Sequence, residues 1–303
     1  MNILVLGGAG FIGSHVVDAL LKAGHSVRVF DRGPEFYRAS LLNVDYRIAN
    51  FSDIPALAEA LEGVDVVYHL ISTTVPSTSN LDPIGDIEGN LISTVRLLQL
   101  MVQKGVRRIV YLSSGGTVYG IPQVLPIPEI HPLKPICSYG VVKVSVENYL
   151  FMYQSLHGIQ PIVLRASNPY GERQTHFGVQ GVIGTFLNKL INNKEIEIWG
   201  DGSVVRDFIY VEDLARLCLA AGESSYVGIL NAGSGVGNSI KDILDSISLV
   251  HGEKVPHIFK PGRAYDVPKV VLDISKANTE LGWTPSVTLE EGLFTTLRWA
   301  RTL

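Results

Sequence analysis

Residues 2–13 read NILVLGGAGFIG, a short apolar run followed at once by glycines at positions 7, 8, 10 and 13. The apolar run predicts a buried β-strand, and the apolar periodicity of residues 11–23 predicts an α-helix directly after it. The early glycines permit a tight turn that lets backbone N–H groups approach a pyrophosphate, and Gly13 lets the helix pack closely on the strand. The helix N-terminus adds positive partial charge. We therefore predict that this loop binds the phosphates of a dinucleotide.

The second predicted strand ends at Asp31, where dinucleotide-binding folds place the acidic residue that hydrogen-bonds the adenosine ribose 2′-hydroxyl. A carboxylate there repels a 2′-phosphate, so the sequence favours NAD over NADP. The adjacent Arg32 argues in the other direction, because an arginine can pair with that phosphate. NAD is therefore the predicted cofactor, and Arg32 leaves NADP as the alternative.

Short apolar runs and longer amphipathic stretches alternate beyond the loop. Strands are predicted at 26–30, 44–48, 64–69, 107–112 and 161–164, and helices at 53–62, 86–104 and 139–157. This alternation predicts an α/β fold of the Rossmann type, with a doubly wound parallel sheet and helices on both faces.

The alternation becomes less regular after residue 168, where helical patterns recur near 182–193, 211–221, 239–250 and 289–300. We predict an NAD-binding Rossmann domain over residues 1–168 and a smaller C-terminal α/β lobe, for the substrate, over residues 169–303. The apolar runs at 207–210 and 228–231 are predicted to return to the main sheet, so that segments near 206–232 belong to the first domain.

The composition argues against several classes of protein. With 303 residues, 46% of them apolar, and a net charge of -4, the chain can bury a core and has no basic surplus for nucleic acid. Cys137 and Cys218 make neither a metal-type spacing nor a disulfide framework, so no metal is expected. No apolar run reaches the roughly 20 residues that span a bilayer, and no signal segment is recognised. These features predict a cytoplasmic protein without a membrane span.

Tyr139 and Lys143 stand four residues apart at the start of a predicted helix, which puts both side chains on one helix face. A nearby ammonium group favours the phenolate, so we expect Lys143 to lower the pKa of Tyr139 into a range useful for proton transfer. The fifth predicted strand ends in a turn that carries the hydroxyls of Ser113, Ser114 and Thr117. Ligands of open α/β sheets bind at the carboxyl ends of strands, so one of these hydroxyls is expected beside Tyr139.

These motifs, in this order, resemble the extended short-chain dehydrogenase/reductase family, in particular its NAD-dependent epimerases and dehydratases of nucleotide sugars. The resemblance extends to residues 165–171, RASNPYG, and 200–215, GDGSVVRDFIYVEDLA. Within the family the chain is most similar to the 4-epimerases of UDP-glucose and UDP-N-acetylglucosamine. The resemblance implies a homodimer that pairs two helices per subunit, here the predicted helices 86–104 and 139–157.

The resemblance also implies roles for individual residues. It implies an NAD site formed by Gly7, Gly10, Phe11, Ile12, Gly13, Asp31, Arg32, Asn50, Phe51, Leu70, Asn90, Ser113, Tyr139, Lys143 and Pro169. It implies catalysis by Tyr139 and Lys143 with a hydroxyl from Ser114 or Thr117. It implies a substrate site for a UDP-linked sugar formed by Ser114, Tyr139, Asn168, Arg206, Asn231, Arg263, Asp266 and Val270. Arg206 and Arg263 would hold the diphosphate, since arginine suits bidentate phosphate contacts.

Some positions depart from the family pattern or vary within it. Gly115 stands where the usual epimerase turn has a catalytic Ser or Thr, so Ser114 is the expected hydroxyl and Thr117 the alternative. Asn50 replaces an Asp that contacts the adenine. Val270 aligns with a gate residue near the C2 substituent of the sugar, and a side chain of this size implies room for an N-acetyl group.

The reaction implied by the resemblance is NAD-dependent 4-epimerisation of a UDP-hexose or UDP-N-acetylhexosamine through a transient 4-keto sugar. The turn at residues 115–117 has no carboxylate, which disfavours the dehydration and decarboxylation that other relatives perform. Two alternatives remain open. One is an NAD(P)-dependent reductase of a nucleotide-linked 4-keto sugar, and the other is a non-catalytic NAD-binding scaffold.

Overall fold

A parallel sheet of seven strands carries the glycine-rich loop. The computed structural model describes residues 1–174, 181–262 and 267–303. The strands of the chain, in order, are β1 (Asn2–Leu6), β2 (Ser26–Asp31), β3 (Val44–Ile48), β4 (Val66–His69), β5 (Arg108–Ser114), β6 (Gln160–Ala166), β7 (Asn168–Tyr170), β8 (Ile196–Trp199), β9 (Val205–Tyr210), β10 (Gly228–Ala232), β11 (Gly237–Ser239), β12 (His257–Lys260) and β13 (Lys269–Val270). The large sheet has the order β10-β6-β5-β4-β1-β2-β3, with all neighbours parallel. This order confirms the predicted Rossmann fold.

Helices cover both faces of this sheet and also form part of the smaller lobe. They are α1 (Phe11–Lys22), α2 (Ile54–Ala60), α3 (Pro83–Asp86), α4 (Ser93–Lys104), α5 (Ser138–His157), α6 (Val182–Ile191), α7 (Val211–Glu223), α8 (Ile240–His251), α9 (Ser275–Leu281) and α10 (Leu289–Ala300). A π-helical turn, Ile87–Ile92, joins α3 to α4, so the first part of the predicted helix at 86–104 is wound differently from the rest. Such π-turns are frequent at functional sites.

Alternate side chains of the central strands explain why helices are needed on both faces. Ile3 and Val5 pack with α1 and α7, whereas Leu4 and Leu6 pack on the opposite face with α2, α4 and α5. All four side chains are at most 1% exposed. A parallel strand that is buried on both faces needs a continuous apolar sequence, which is what residues 3–6 provide.

The second half of the chain divides between two sheets. β10 pairs with β6 at the edge of the large sheet, as the apolar run at 228–231 predicts. β9 instead lies in a small sheet, with β11, β13 and β7 as its neighbours. The expectation that residues 207–210 return to the main sheet is therefore wrong, because β10 occupies the edge beside β6. The domain boundary near residue 168 stays a prediction.

The carboxyl ends of the large-sheet strands face the smaller lobe. A third apolar cluster, contributed by α6, α8 and α10 together with β7, β8 and β9, forms the core of that lobe. The site described next lies between this lobe and the sheet. In the described ranges, no helix combines the length and the apolar character needed to cross a bilayer.

Candidate active site

The glycine-rich loop forms a close turn between β1 and α1. Gly7 has a φ of +83°, a left-handed conformation that favours glycine. At Gly13 a Cβ would lie 2.0 Å from the carbonyl oxygen of Gly7, so helix and loop touch there through their backbones. Gly10 is the N-cap residue of α1 and no side chain caps this terminus. The cradle therefore fits a dinucleotide, because its first N–H groups can bind a pyrophosphate.

Replacing Gly13 by Ala should both destabilise the protein and weaken NAD binding. The added Cβ forces α1 away from Gly7, and overpacking of this kind costs about 1–3 kcal/mol. Thermal unfolding and a titration with NAD measure the two effects. Gly10→Ala is the matched control for stability, because its Cβ would lie 3.4 Å from the same oxygen. Equal unfolding temperatures for the two variants would contradict the close contact.

Asp31 ties the end of β2 to the glycine-rich loop. Its Oδ2 accepts a hydrogen bond from the N–H of Ala9 at 3.0 Å, and its Oδ1 accepts one from the N–H of Arg32 at 2.8 Å. Burial raises the pKa of Asp31, and these N–H donors oppose the rise. The Arg32 residue is exposed. The carboxylate thus lies beside the loop at the place where the sequence predicts the ribose contact.

Tyr139 and Lys143 lie on the first turns of α5, at the bottom of a cleft. Lys143 is 6% exposed, and its Nζ donates to the carbonyl oxygen of Leu112 at 2.9 Å and lies 5.5 Å from the ring centroid of Tyr139. Burial lowers the pKa of Lys143 to about 8, opposed by the carboxylates of Glu147 and Asp86. Burial of this kind disfavours the charged form.

The pKa of Tyr139 differs from the sequence-based expectation. Burial raises it to about 12, and a hydrogen bond with the side chain of Ser72 opposes the rise. The expectation that Lys143 lowers the pKa of Tyr139 is therefore wrong for this structure, because the loss of hydration at the phenol dominates. The spacing of four residues correctly predicts that the two side chains share a helix face.

The structure brings about half of the predicted site residues into one cleft of about 490 Å³. Residues predicted for the cofactor, for catalysis and for the substrate all contribute to its lining. Its lining includes Phe11, Ile12, Leu70, Ser113, Ser114, Thr117, Tyr139, Lys143, Asn168, Pro169 and Arg206. These residues come from β-strand ends and helix starts, where an open α/β sheet binds ligands.

Two further cavities adjoin this cleft. One, of about 470 Å³, is lined by the turn residues Gly116 and Thr117, by Cys137 and by Val270. The other, of about 440 Å³, lies between β7, α6 and β8. Arg206 borders all three spaces. Its Nη1 donates to the carbonyl oxygens of Val205 and Val267, at 2.9 and 2.7 Å, which fixes the guanidinium at the junction.

Asn231 does not have the role that the resemblance implies. It is 0% exposed, and its Nδ2 donates to the carbonyl oxygens of Ile127 and Asp273 at 2.8 and 2.9 Å. Its Oδ1 accepts from the hydroxyl of Tyr119 at 2.6 Å. The expectation that Asn231 contacts the substrate is corrected, because its side chain is engaged in joining three backbone segments.

Other predicted cofactor residues lie beside the cleft rather than in its lining. Asn90 is buried and its Oδ1 accepts from the N–H of Thr73 at 2.9 Å, so it supports the cleft wall. Phe51 is buried against the ring of His69, with centroids 5.1 Å apart. Asn50 is exposed and holds a local turn. The predicted substrate residues Arg263 and Asp266 lie outside the described residues.

A buried polar network lies behind the turn that follows β5, and the sequence analysis did not predict it. Arg165 and Glu147 form an ion pair at 2.7 Å, with side chains 2% and 3% exposed. Glu147 also accepts a hydrogen bond from the hydroxyl of Ser113, and Arg165 donates to the hydroxyl of Tyr119 at 3.0 Å. One signal was available, because Glu147 lies four residues after Lys143 and shares its helix face.

Comparison with known proteins identifies the family. A model of the NAD dependent epimerase/dehydratase family matches residues 3–233. The chain belongs to the NAD-dependent epimerase/dehydratase family. One relative, the UDP-glucose 4-epimerase of Mycolicibacterium smegmatis, is 34% identical over 99% of both chains. Further relatives are named as a reductase and as decarboxylases of nucleotide sugars.

Solved structures agree with this family assignment. The UDP-glucose 4-epimerase of Thermotoga maritima, with UDP-glucose, has a TM-score of 0.94 and 36% identity over 100% of this chain and 99% of that chain. The UDP-glucose 4-epimerase of Thermus thermophilus, in complex with NAD, has a TM-score of 0.92 and 31% identity over 99% of both chains. The predicted epimerase/dehydratase resemblance and the predicted cofactor NAD are confirmed. Over residues 1–174, 181–262 and 267–303, no group of three or more His, Cys, Asp or Glu could hold a metal ion.

Proposed function

We propose that this enzyme interconverts the C4 epimers of a UDP-linked hexose or N-acetylhexosamine through a transient 4-keto sugar. The observation that carries the proposal is the single cleft that holds Tyr139, Lys143 and the Ser114 and Thr117 hydroxyls, with Arg206 at its junction with two further cavities. Such an arrangement can hold a diphosphate at one end and a sugar hydroxyl at the other. The epimerase relatives support it.

Tyr139 acts as the phenolate: it accepts the proton of the sugar 4-hydroxyl while the 4-keto sugar forms, and it returns that proton while the 4-keto sugar is reduced. When bound, NAD supplies the hydride acceptor and donor, and its oxidised nicotinamide carries a positive charge. Burial raises the pKa of Tyr139 to about 12, so the phenol is protonated at neutral pH and becomes a base only where a positive charge favours the phenolate. Positive charge within a few ångströms favours the phenolate. The ammonium group of Lys143 lies 5.5 Å from the centroid of the phenol ring and does not by itself offset the effect of burial.

A hydroxyl of the turn after β5 orients the sugar oxygen. Ser114 and Thr117 both line the cleft. The Oγ1 of Thr117 is buried and has no hydrogen-bond partner among the described residues. A buried hydroxyl without a partner is unfavourable, which supports Thr117 as a group that gains its partner from the substrate. Ser114, the hydroxyl that the sequence favours, becomes the alternative.

Steric crowding explains why a glycine stands at position 115. A Cβ on Gly115 would lie 2.6 Å from a methyl group of Leu272 and 2.9 Å from the carbonyl oxygen of Arg165. No Ser or Thr fits at this position, so the hydroxyl must come from a neighbour. The turn also holds no carboxylate for proton transfer at C5 or C6, which supports epimerisation over dehydration.

Incubation with UDP-glucose or UDP-N-acetylglucosamine, followed by chromatography of the C4 epimers, tests the proposal. Formation of UDP-galactose or UDP-N-acetylgalactosamine without net consumption of NAD is expected. A reductase would instead consume NADH or NADPH in step with a 4-keto sugar. A scaffold would bind NAD and convert neither substrate, and either of these outcomes would overturn the proposal.

Val270→Tyr should confine the enzyme to sugars without an N-acetyl group. Val270 is 4% exposed and borders the cavity on the sugar side, so a larger ring reduces the space there. We expect kcat/KM for UDP-N-acetylglucosamine to fall about 10- to 200-fold relative to UDP-glucose, since steric exclusion of a small group is worth roughly 1–3 kcal/mol. Val270→Ile is the matched control. Equal losses for both substrates would show that Val270 does not select at C2.

We also infer a homodimer formed through α4 and α5. Apolar side chains on these helices and on the preceding π-turn are exposed in the single chain, at Ile87, Ile92, Val102, Val141, Tyr149, Met152 and Leu156. Burial of such side chains favours association. Sedimentation of the purified protein tests this inference, and a monomer at micromolar concentration would contradict it.

A further inference from the structure

Asp86 is a buried carboxylate behind the catalytic tyrosine, and no step of the proposed reaction uses it. It is the last residue of α3 and is 1% exposed. Neutral side chains hold its two oxygens. A buried carboxylate bound only by neutral donors is costly to keep, so its position calls for a physical reason.

Three hydrogen bonds join Asp86 to three different elements. Its Oδ1 accepts from the hydroxyl of Thr74 at 2.7 Å and from the Nδ2 of Asn90 at 2.9 Å. Its Oδ2 accepts from the hydroxyl of Ser138 at 2.7 Å. Thr74 lies in the cleft wall, Asn90 in the π-turn, and Ser138 is the first residue of α5. The carboxylate is therefore the common point of these elements.

The bond to Ser138 acts on the helix that carries Tyr139. The N-cap residue of α5 provides no side-chain hydrogen bond, so other groups must satisfy the first N–H groups of the helix. Asn80 Oδ1 accepts from the N–H of Ser138 at 2.9 Å, and Ser79 Oγ accepts from the N–H of Tyr139 at 3.1 Å. The segment that leads into α3 thus caps α5, and Asp86 fixes the two together.

The bonds to Thr74 and Asn90 act on the loop that contacts the phenol. Ser72 lines the cleft beside the phenol of Tyr139 and affects its pKa, and the hydroxyl of Ser72 donates to the carbonyl oxygen of Thr74 at 3.0 Å. Through Thr74, the carboxylate therefore holds the loop that presents Ser72 to the reacting group.

We propose that Asp86 is the positioning residue for Tyr139. Its three hydrogen bonds keep the helix that bears the phenol and the loop that touches the phenol in one fixed relation. The kinetic part of this proposal rests on the proposed epimerase function. The structural part is tested by a titration that needs no substrate.

Asp86→Ala and Asp86→Asn separate the hydrogen bonds from the charge. Alanine removes all three bonds, and kcat should fall on the order of 100-fold with KM nearly unchanged, as a misplacement of about 1 Å would cause. Asparagine keeps an oxygen for Thr74 and Asn90 and offers an N–H to the Ser138 hydroxyl. It should therefore restore kcat to within about threefold of the unmodified enzyme, because all three bonds can re-form. Glu88→Gln is the matched control, since it removes an exposed carboxylate two residues away.

A titration of the phenol completes the test. The pKa of Tyr139 is measured from the absorbance difference between each protein and its Tyr139→Phe version. Asp86, Cys137, Lys143, Ser72 and Tyr111 face the phenol. Removing the negative charge should lower the pKa of Tyr139 in the Asp86→Asn variant and leave it unchanged in the Glu88→Gln variant.

Two kinetic results for the Asp86 variants would overturn the proposal. In one, Asp86→Ala has the kcat of the Glu88→Gln control. In the other, Asp86→Asn is as impaired as Asp86→Ala, although asparagine can satisfy every bond. If Asp86→Ala does not fold, the kinetics of Ser138→Ala test the proposal instead, because this variant removes only the hydrogen bond between Ser138 and Asp86. A lowered kcat with unchanged KM supports the proposal and an unchanged kcat contradicts it. If the unmodified enzyme epimerises neither substrate, the proposed function fails, and the titration still tests Asp86: a Tyr139 pKa that is the same in the Asp86→Asn variant would overturn the placement of the carboxylate beside the phenol.

Discussion

Tyr139→Phe should lower kcat for C4 epimerisation by about 10²–10⁴-fold while NAD stays bound, since this is the usual contribution of a general acid–base group. The phenol lies in the cleft with Lys143, the turn hydroxyls and Arg206, and we propose it as the group that exchanges the sugar proton. Phenylalanine keeps the ring and removes the oxygen. Rates from the epimer assay and NAD content after purification measure the two parts of this expectation.

Tyr149→Phe is the matched control for that experiment. Tyr149 lies on the same helix, and its residue is 37% exposed, away from the cleft lining. We expect its kcat to equal that of the unmodified enzyme. If Tyr139→Phe keeps a kcat above one tenth of that value, Tyr139 does not transfer the proton, and the hydroxyls of Ser114 and Thr117 become the candidates.

Lys143→Met should raise stability at neutral pH while lowering kcat on the order of 100-fold, which is the usual effect of removing one electrostatic contact to the reacting groups. Burial lowers the pKa of Lys143 from 10.5 to about 8. This difference corresponds to about 3 kcal/mol by which the charged lysine disfavours the native state below pH 8. Methionine has no charge to bury, although it leaves the carbonyl oxygen of Leu112 without its donor, which costs about 1 kcal/mol. The variant should thus be more stable by about 2 kcal/mol at pH 7.

The pH dependence of this difference has a definite sign. Between pH 8 and 10.5 the unfolded chain binds more protons at Lys143 than the native chain does, so the free energy of unfolding of the unmodified protein rises with pH. The advantage of Lys143→Met should therefore shrink across that interval. Denaturant unfolding at pH 7 and at pH 10 measures it, with the exposed Lys254→Met as the control. A difference that is the same at both pH values would contradict burial as the cause.

Local patterns in the sequence predicted the parts of the site whose geometry is local. The glycine-rich loop between β1 and α1, and the pairing of Tyr139 with Lys143 on one helix face, follow from spacing within a single element or turn. The alternation of short apolar runs and amphipathic stretches predicted helices on both sides of a parallel sheet, and the burial of residues 3–6 on both faces agrees with it.

Patterns failed where a side chain has partners far away in the chain. The resemblance implies a substrate contact for Asn231, but its amide is bound by Ile127 and Asp273, which are distant in sequence. The sheet that receives β9 was likewise decided by competition with β10 for the edge beside β6. Neither outcome can be predicted from a window of neighbouring residues.

The sequence by itself therefore determined the fold class and the cofactor, because these depend on backbone periodicity and on the glycine-rich loop, and it suggested which side chains react. Only the tertiary structure decided how those side chains are tuned and held. The pKa of Tyr139 is set by burial, and its position by the bonds that Asp86 makes to separate elements. Hydration and long-range hydrogen bonds depend on which segments meet in space, and folding alone brings those segments together.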